Sequence, residues 1–112
     1  MNRLTIAFAA AAALGLGAQA ANARGNPENG KTQAAQVCAA CHGGDGAKPS
    51  APDQPILAGQ HYDYLVQALS DYKSGKRNNA IMKGFALGLS KKDIEDLAAW
   101  FASQKSALHF QR

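Results

Sequence analysis

Large apolar side chains are scarce in this chain of 112 residues. Aromatic residues make up 7% of the sequence, and much of its 46% hydrophobic content is alanine. A domain of this size buries too little of such surface to form more than a marginal core by itself. The composition therefore favours a fold whose core is completed by apolar surface from a bound group.

Three other absences exclude classes of function. The formal net charge is +4, but no Lys/Arg-rich run is present, so the sequence gives no sign of a nucleic-acid partner. There are only two Cys and three His and no second C-x-x-C pair, which disfavours a zinc site of four protein ligands. No convincing strand pattern is present, so the βαβ context of a dithiol redox motif is missing.

The two cysteines that are present lie in residues 38–42, with the sequence CAACH. This spacing suits one helical turn, so both sulfurs can reach the two vinyl groups on one edge of a porphyrin. C-x-x-C-H is the pattern of c-type haem attachment. It predicts that Cys38 and Cys41 form thioethers and that His42 is the proximal iron ligand. A structural disulfide would leave His42 unexplained.

The N-terminus has the form of a targeting segment. A short positive start with Arg3 precedes an apolar, alanine-rich run over residues 4–17, and the small-residue triplets at 18–20 and 21–23 both fit the A-x-A rule. We therefore expect residues 1–23 to be a secretory signal peptide, cleaved after Ala20 or Ala23, and the functional domain to be residues 24–112. The alternative is an uncleaved membrane anchor, but the run is shorter than the ~20 residues of a spanning helix.

Export predicts a periplasmic protein with no transmembrane segment after cleavage. Cleavage removes Arg3 and no acidic residue, so the net charge falls from +4 to +3. It also removes Met1, which leaves Met82 as the only methionine of the mature chain.

Three helices are predicted in the mature chain. The first begins at about Pro27, after Asn26 as N-cap, and runs into Cys38. The second covers residues 60–74 and ends at Gly75. The third follows Ser90, which with Asp93 resembles a capping box, and ends within residues 103–105. We expect two loops between them, 43–55 and 76–89, the second with room for one helical turn.

Two residues in these loops are predicted to complete a haem site. The backbone carbonyl of Pro55 could accept the Nδ1–H of His42, a contact that orients a ligand and raises its basicity. The alternative is that Pro55 only breaks the loop before a helix. The thioether of Met82 suits low-spin iron, so Met82 is predicted as the sixth ligand, opposite His42. A lone methionine can also be a gap-filler in a core. His61 and His109 are expected to have no role at the iron.

The mature chain resembles the small class I c-type cytochromes of bacteria, both the monohaem periplasmic members and single halves of the tandem dihaem type. The resemblance rests on motifs spread over nearly all of the mature chain: CAACH at 38–42, LAGQH at 57–61 with Tyr64 and Leu65, KSGKR at 73–77, Met82, GLS at 88–90, Asp93 with Ile94, and LAAWF at 97–101.

The resemblance implies an all-α, small cytochrome c fold with three main helices around one covalently bound haem c. The N-terminal helix would cross the C-terminal one, with Gly30 near Leu97 and Trp100. The alternative for Gly30 is a helix with a stray glycine. His/Met ligation and one-electron transfer are also implied. One departure is that Lys83, Gly84 and Phe85 follow Met82, where many relatives have a proline, so the resemblance does not imply a rigid Met82 loop.

These inferences predict a monomeric periplasmic electron carrier that is not an enzyme and that acts on redox partner proteins. The first alternative is an electron-transfer subunit of a larger dehydrogenase or oxidase. The second is a haem peroxidase or ligand sensor, which would need an open iron position. Basic residues near Met82 could steer an acidic partner to the haem edge, or could be an ordinary solvated surface. They are Lys73, Lys76, Arg77, Lys83, Lys91 and Lys92.

Overall fold

The computed structural model describes residues 24–106, which contain five helices and no strand. Residues 1–23, predicted as a signal peptide, and His109 lie outside the described residues. The all-α prediction is confirmed for the described part of the chain. The helices are α1 (Pro27–Val37), α2 (Ala39–His42), α3 (Tyr62–Ser74), α4 (Ala80–Ala86) and α5 (Lys91–Ala102).

The ends of the three long helices follow from local sequence. The Asn26 side chain accepts hydrogen bonds from the backbone N–H groups of Glu28 and Asn29, which α1 cannot satisfy internally. Ser90 and Asp93 form the predicted capping box at the start of α5. Gly75 ends α3 in a left-handed conformation, with φ at 83°, which a residue with a Cβ adopts at a cost.

The helix α4 was predicted only as a loop with room for one turn, and it is longer. It has seven residues, and its N-cap Asn79 accepts a hydrogen bond from the backbone N–H of Met82 at 3.0 Å. The glycine at position 84 is helical and has open space around it. A glycine inside a seven-residue helix interrupts the helical pattern, and for this reason the sequence predicts a loop here.

The helices α1 and α5 cross at Gly30. A Cβ on Gly30 would stand 2.0 Å from the backbone oxygen of Asp96 and 2.9 Å from the Cβ of Trp100. Only a residue without a side chain permits this approach, so the close-packing hypothesis for Gly30 is confirmed. Next to the crossing lies a small buried cluster, made of Ala34, Leu65, Leu97, Ala98 and Phe101.

A buried carboxylate joins the same two helices. Asp96 of α5 is 3% exposed, and its Oδ1 accepts a hydrogen bond of 2.6 Å from the backbone N–H of Asn26. Its Oδ2 is paired with the ammonium of Lys92. Burial by itself would raise the pKa of Asp96, but the hydrogen bonds from Lys92 and Asn26 outweigh it and lower this pKa overall.

None of the helices within residues 24–106 is both long enough and apolar enough to cross a membrane.

Candidate functional site

A large cavity lies among the helices of the described part of the protein. Its volume is about 540 Å³, within the range of roughly 300–1,000 Å³ that is typical of cofactor pockets. All five helices and the loop over residues 53–57 contribute to its walls. The buried end is apolar, with Leu65, Leu97 and Phe101 in contact with it. The thin core predicted from composition is therefore a shell around a space for a second, apolar component.

The two cysteines lie together at one wall of this cavity. The short α2 begins directly after Cys38 and contains Cys41, so one helical turn presents both sulfurs. The two residues are not joined by a disulfide bond. Burial raises the pKa of the Cys38 thiol to about 11, so it stays protonated at neutral pH. Redox-active dithiols have a thiol pKa well below the ordinary value, which further disfavours that alternative.

His42 is buried and oriented by a backbone contact. It is 6% exposed, and its Nδ1 lies 2.9 Å from the carbonyl oxygen of Pro55. A carbonyl can only accept a hydrogen bond, so Nδ1 must carry the proton. Nε2 is then left with its lone pair, as iron ligation requires. The predicted contact between His42 and Pro55 is present.

Met82 lines the same cavity from α4 and is partly buried. The structure thus brings Met82 together with Cys38, Cys41 and His42, although the methionine and the histidine are 40 positions apart in sequence. His61 instead stands at the N-cap of α3, is exposed, and is not among the described residues that line the cavity.

The rim of the cavity exposes large apolar side chains. Val37, Tyr64, Ile81 and Phe85 all contact it, and they are between 44% and 70% exposed. Such apolar exposure around one opening marks a surface that a ligand covers. A planar apolar cofactor in the cavity would bury part of each of these side chains.

Residues 24–106 contain no group of three or more His, Cys, Asp or Glu side chains that could hold a metal ion by themselves.

Residues 27–105 match the Cytochrome c family, which is more than half of the chain. The chain belongs to the cytochrome c family. The prediction of a class I c-type cytochrome, with an all-α fold, is therefore confirmed.

Within this family, the chain is similar to several named proteins. The chain is 48% identical over 88 residues to cytochrome c4 of Pseudomonas aeruginosa, covering 79% of this chain and 43% of that protein. It is 39% identical over 95 residues to the thiosulfate dehydrogenase electron acceptor of Stutzerimonas stutzeri, covering 82% and 44%. The crystal structure of reduced cytochrome c4 from Pseudomonas stutzeri superposes with a TM-score of 0.66 at 42% identity, covering 72% and 46%. The chain thus spans less than half the length of these relatives.

The cofactor of this cytochrome c chain is one covalently bound haem c, as predicted, and the cavity fits it. Two thiols, an imidazole with a free Nε2 and a thioether all face one apolar space. The one cationic residue among the described residues of the lining was not predicted as part of the site. Arg77 was placed with the surface lysines, but it contacts the cavity. Nothing in the spacing of residues 73–77 separates it from Lys73 or Lys76.

Proposed function

We propose that this protein is a one-electron carrier whose haem iron is held between His42 and Met82. The observation that carries the proposal is that the cavity gathers both thiols, the imidazole and the thioether of the predicted site. The bound haem supplies an iron that changes between the ferrous and ferric states. The surrounding residues do no bond-making chemistry on a substrate.

Each residue of the site has a separate task in this proposal. Cys38 and Cys41 would bind the porphyrin by adding their S–H bonds across its two vinyl groups. The Pro55 carbonyl accepts a hydrogen bond from the Nδ1–H of His42, which would fix the ring and strengthen Nε2 as a ligand. Met82 would fill the remaining iron position, which leaves no place for a peroxide or a gaseous ligand. For this reason we propose a carrier and not an enzyme or sensor.

The apolar lining of the cavity would raise the reduction potential of the iron. Leu65, Leu97 and Phe101 exclude water from the inner wall of the cavity. An apolar shell disfavours the extra positive charge of ferric iron, and a methionine ligand acts in the same direction. We therefore expect a higher reduction potential than a solvent-exposed, bis-nitrogen site would have.

A second proposal concerns the setting in which the carrier works. One relative bears the name thiosulfate dehydrogenase electron acceptor, which supports the alternative that this chain accepts electrons from a larger dehydrogenase. The proposed location is the periplasm. The basis is the signal-like pattern of residues 1–23, with cleavage after Ala20 or Ala23 and a cytochrome domain over residues 24–112. We further propose that the mature protein is a monomer.

A redox titration followed by visible absorption tests the electron-carrier proposal. We expect one reversible transition with a slope of about 59 mV per tenfold change in the oxidised-to-reduced ratio, as for a single electron. The reduced protein should not bind carbon monoxide at neutral pH, because both axial positions are filled. Rapid carbon monoxide binding by the wild type would instead favour a sensor or peroxidase.

A further inference from the structure

We infer that Gln54 is a positioning residue for the iron ligand, because its side chain holds the turn that presents the Pro55 carbonyl to His42. The inference rests on the His42 ligation proposed above and adds a residue to the groups that control it. Gln54 lies among the described residues that line the cavity, but no motif of the sequence predicts a role for it.

Residues 51–54 form a tight turn directly before Pro55. The backbone N–H of Gln54 donates to the carbonyl of Ala51 at 3.1 Å, which closes the turn. The second residue of the turn is Pro52, whose ring fixes φ near the value that this position needs. Gln54 is the last residue of the turn, so its placement sets the direction in which the chain enters Pro55.

The side chain of Gln54 joins the end of this turn to its start. Its Oε1 accepts hydrogen bonds from the backbone N–H of Ser50 at 3.0 Å, from the Ser50 hydroxyl at 2.8 Å and from the backbone N–H of Ala51 at 3.0 Å. Backbone N–H groups can only donate, so the atom that faces them is the oxygen of the amide and not its nitrogen. Without this oxygen, the two ends of the turn are joined only by the backbone bond between Gln54 and Ala51.

The same segment is attached to α2 on both sides of the turn. On the first side, the backbone N–H of Ser50 also donates to the carbonyl of Cys41 at 2.9 Å. On the second side, the carbonyl of Pro55 accepts from the Nδ1–H of His42 at 2.9 Å. The two attachment points on α2 are neighbouring residues. The contact between Gln54 and Ser50 therefore sets the spacing between the two points at which the turn meets α2.

The chain that follows Pro55 is held independently of Gln54. The carbonyl of Gly46 accepts from the backbone N–H of Leu57 at 2.8 Å and from that of Ala58 at 3.2 Å. Loss of the Gln54 side chain should therefore leave the Pro55 carbonyl near His42 but weaken their hydrogen bond on average. A strong bond at Nδ1 makes Nε2 the more basic ligand, which favours ferric iron, so a weaker bond should raise the reduction potential.

The test compares Gln54→Leu with a matched control, Gln104→Leu, in the haem-loaded protein. Both residues are half-buried glutamines, and the amide of Gln104 bonds to the backbone carbonyl of Trp100. Gln104 is not among the described residues that line the cavity. Leucine is similar in size to glutamine and removes the amide from each position.

In Gln54→Leu the reduction equilibrium should move by up to about tenfold toward the ferrous state, a rise of about 59 mV for one electron. The Nδ1–H of His42 in the reduced protein should exchange with solvent roughly five- to tenfold faster, as measured by NMR, because about one hydrogen bond is lost. Gln104→Leu should change neither quantity. Equal potentials in the two variants, or an unchanged exchange rate in Gln54→Leu, would overturn the inference.

Two further variants separate positioning from a general loss of stability. Gln54→Glu keeps the acceptor oxygen, so the exchange rate at His42 should return to that of the wild type. Gln54→Asn is one methylene shorter and should behave like Gln54→Leu, which keeps the test informative if the leucine variant does not fold. If the oxidised wild type shows no hyperfine-shifted ring signals of His42, the proposed ligation is wrong. If those signals are present and neither Gln54→Leu nor Gln54→Asn moves the potential, only the inference about Gln54 is wrong.

Discussion

At the scale of single residues, the proposed chemistry of the site depends on two hydrogen bonds, one at His42 and one at Met82. The carbonyl of Pro55 accepts a hydrogen bond from the Nδ1–H of His42, which leaves Nε2 free for the proposed iron ligation. Met82 is brought to the cavity by α4, whose first turn is fixed by the Asn79 side chain. Neither contact involves a charged group, so both axial positions would be occupied by neutral ligands.

Replacement of Met82 is the most direct test of the sixth ligand. In Met82→Ala the oxidised protein should lose the weak near-infrared band of sulfur-to-iron charge transfer, and the reduction potential should fall. The iron should also become open to carbon monoxide. Ile81→Ala is a matched control, because Ile81 is the neighbouring cavity residue on α4 and is 70% exposed. An unchanged spectrum in Met82→Ala would move the assignment to His61, His109 or a lysine such as Lys83.

Asp96 should make the stability of the protein depend on acid. Its folded-state pKa lies below its ordinary value of 3.8, so its contribution is complete above that value and is lost as the pH falls further. Urea unfolding should show Asp96→Asn less stable than the wild type by about 1–3 kcal/mol at neutral pH. Its free energy of unfolding should also fall less steeply than that of the wild type as the pH is lowered. Asp63→Asn, whose side chain is 81% exposed, should match the wild type. If the free energy of unfolding of Asp96→Asn falls with decreasing pH as steeply as that of the wild type, Asp96 is not the source of the acid dependence.

At the scale of helices, the crossing of α1 and α5 is the contact that the rest of the fold depends on. The backbone oxygen of Asp96 occupies the place that a side chain at Gly30 would need. The helix pair in turn supports the buried wall of the cavity through Leu97 and Phe101. A shift at the crossing should therefore be felt at the haem as well as in overall stability.

The paired variants Gly30→Ala and Gly84→Ala test the crossing. Both glycines are helical, but only Gly30 has atoms in the way of a Cβ. Gly30→Ala should destabilise the protein by about 1–3 kcal/mol, as overpacking does, measured by chemical denaturation. Gly84→Ala should be neutral or more stable by up to about 1 kcal/mol, because alanine is the better helix former. Similar stabilities for the two variants would mean that the crossing is not close.

The sequence predicted much at this scale because the signals were local. The caps at Asn26 and Ser90 and the stop at Gly75 involve neighbours within three residues, and all three are found. The motif at residues 38–42 likewise placed the cysteines and His42 at one wall. The Pro55 contact spans 13 residues and was proposed from chemistry as much as from position.

What the sequence could not supply were contacts between distant residues. The bond between Asn26 and Asp96 spans 70 positions, and Asp96 looked like one of three ordinary surface acids on the last helix. Arg77 looked like one more member of a basic stretch, whereas Tyr64 and Tyr72 hold it at the cavity. A buried carboxylate and a stacked arginine are produced by tertiary packing, and side-chain type alone does not reveal them.

At the scale of the whole molecule, the basic residues proposed for the docking surface differ in how far their charge is offset by a neighbour. Lys91 and Lys92 pair with Glu95 and Asp96, and Lys73 donates to the carbonyl of Leu89. Within residues 24–106, Lys76 and Lys83 have no carboxylate within 4.0 Å. These two lysines lie on the same side of the protein. Gly75 directly precedes Lys76, and the Lys83 ammonium lies 3.3 Å from where a Cβ on Gly75 would stand.

Steering by these two lysines should be visible in the rate of electron transfer to an acidic partner. The second-order rate should fall steeply as the Debye length shrinks from ~30 Å at 0.01 M salt to ~8 Å at 0.15 M. The double variant Lys76→Glu with Lys83→Glu should flatten or invert that dependence. Lys31→Glu with Lys105→Glu changes the net charge equally, at positions outside residues 73–92, and should keep the salt dependence. A wild-type rate that is indifferent to salt would mean that docking is apolar.

The central claim is that the porphyrin is part of the covalent structure of this chain, attached through Cys38 and Cys41. Acid–acetone extraction of the purified protein tests it directly, because this solvent removes haem that is held only by iron ligands and contacts. The account predicts that the haem stays with the precipitated wild-type chain, while a Cys38→Ala, Cys41→Ala double variant does not retain it. Haem that passes into the acetone from the wild type would contradict the account.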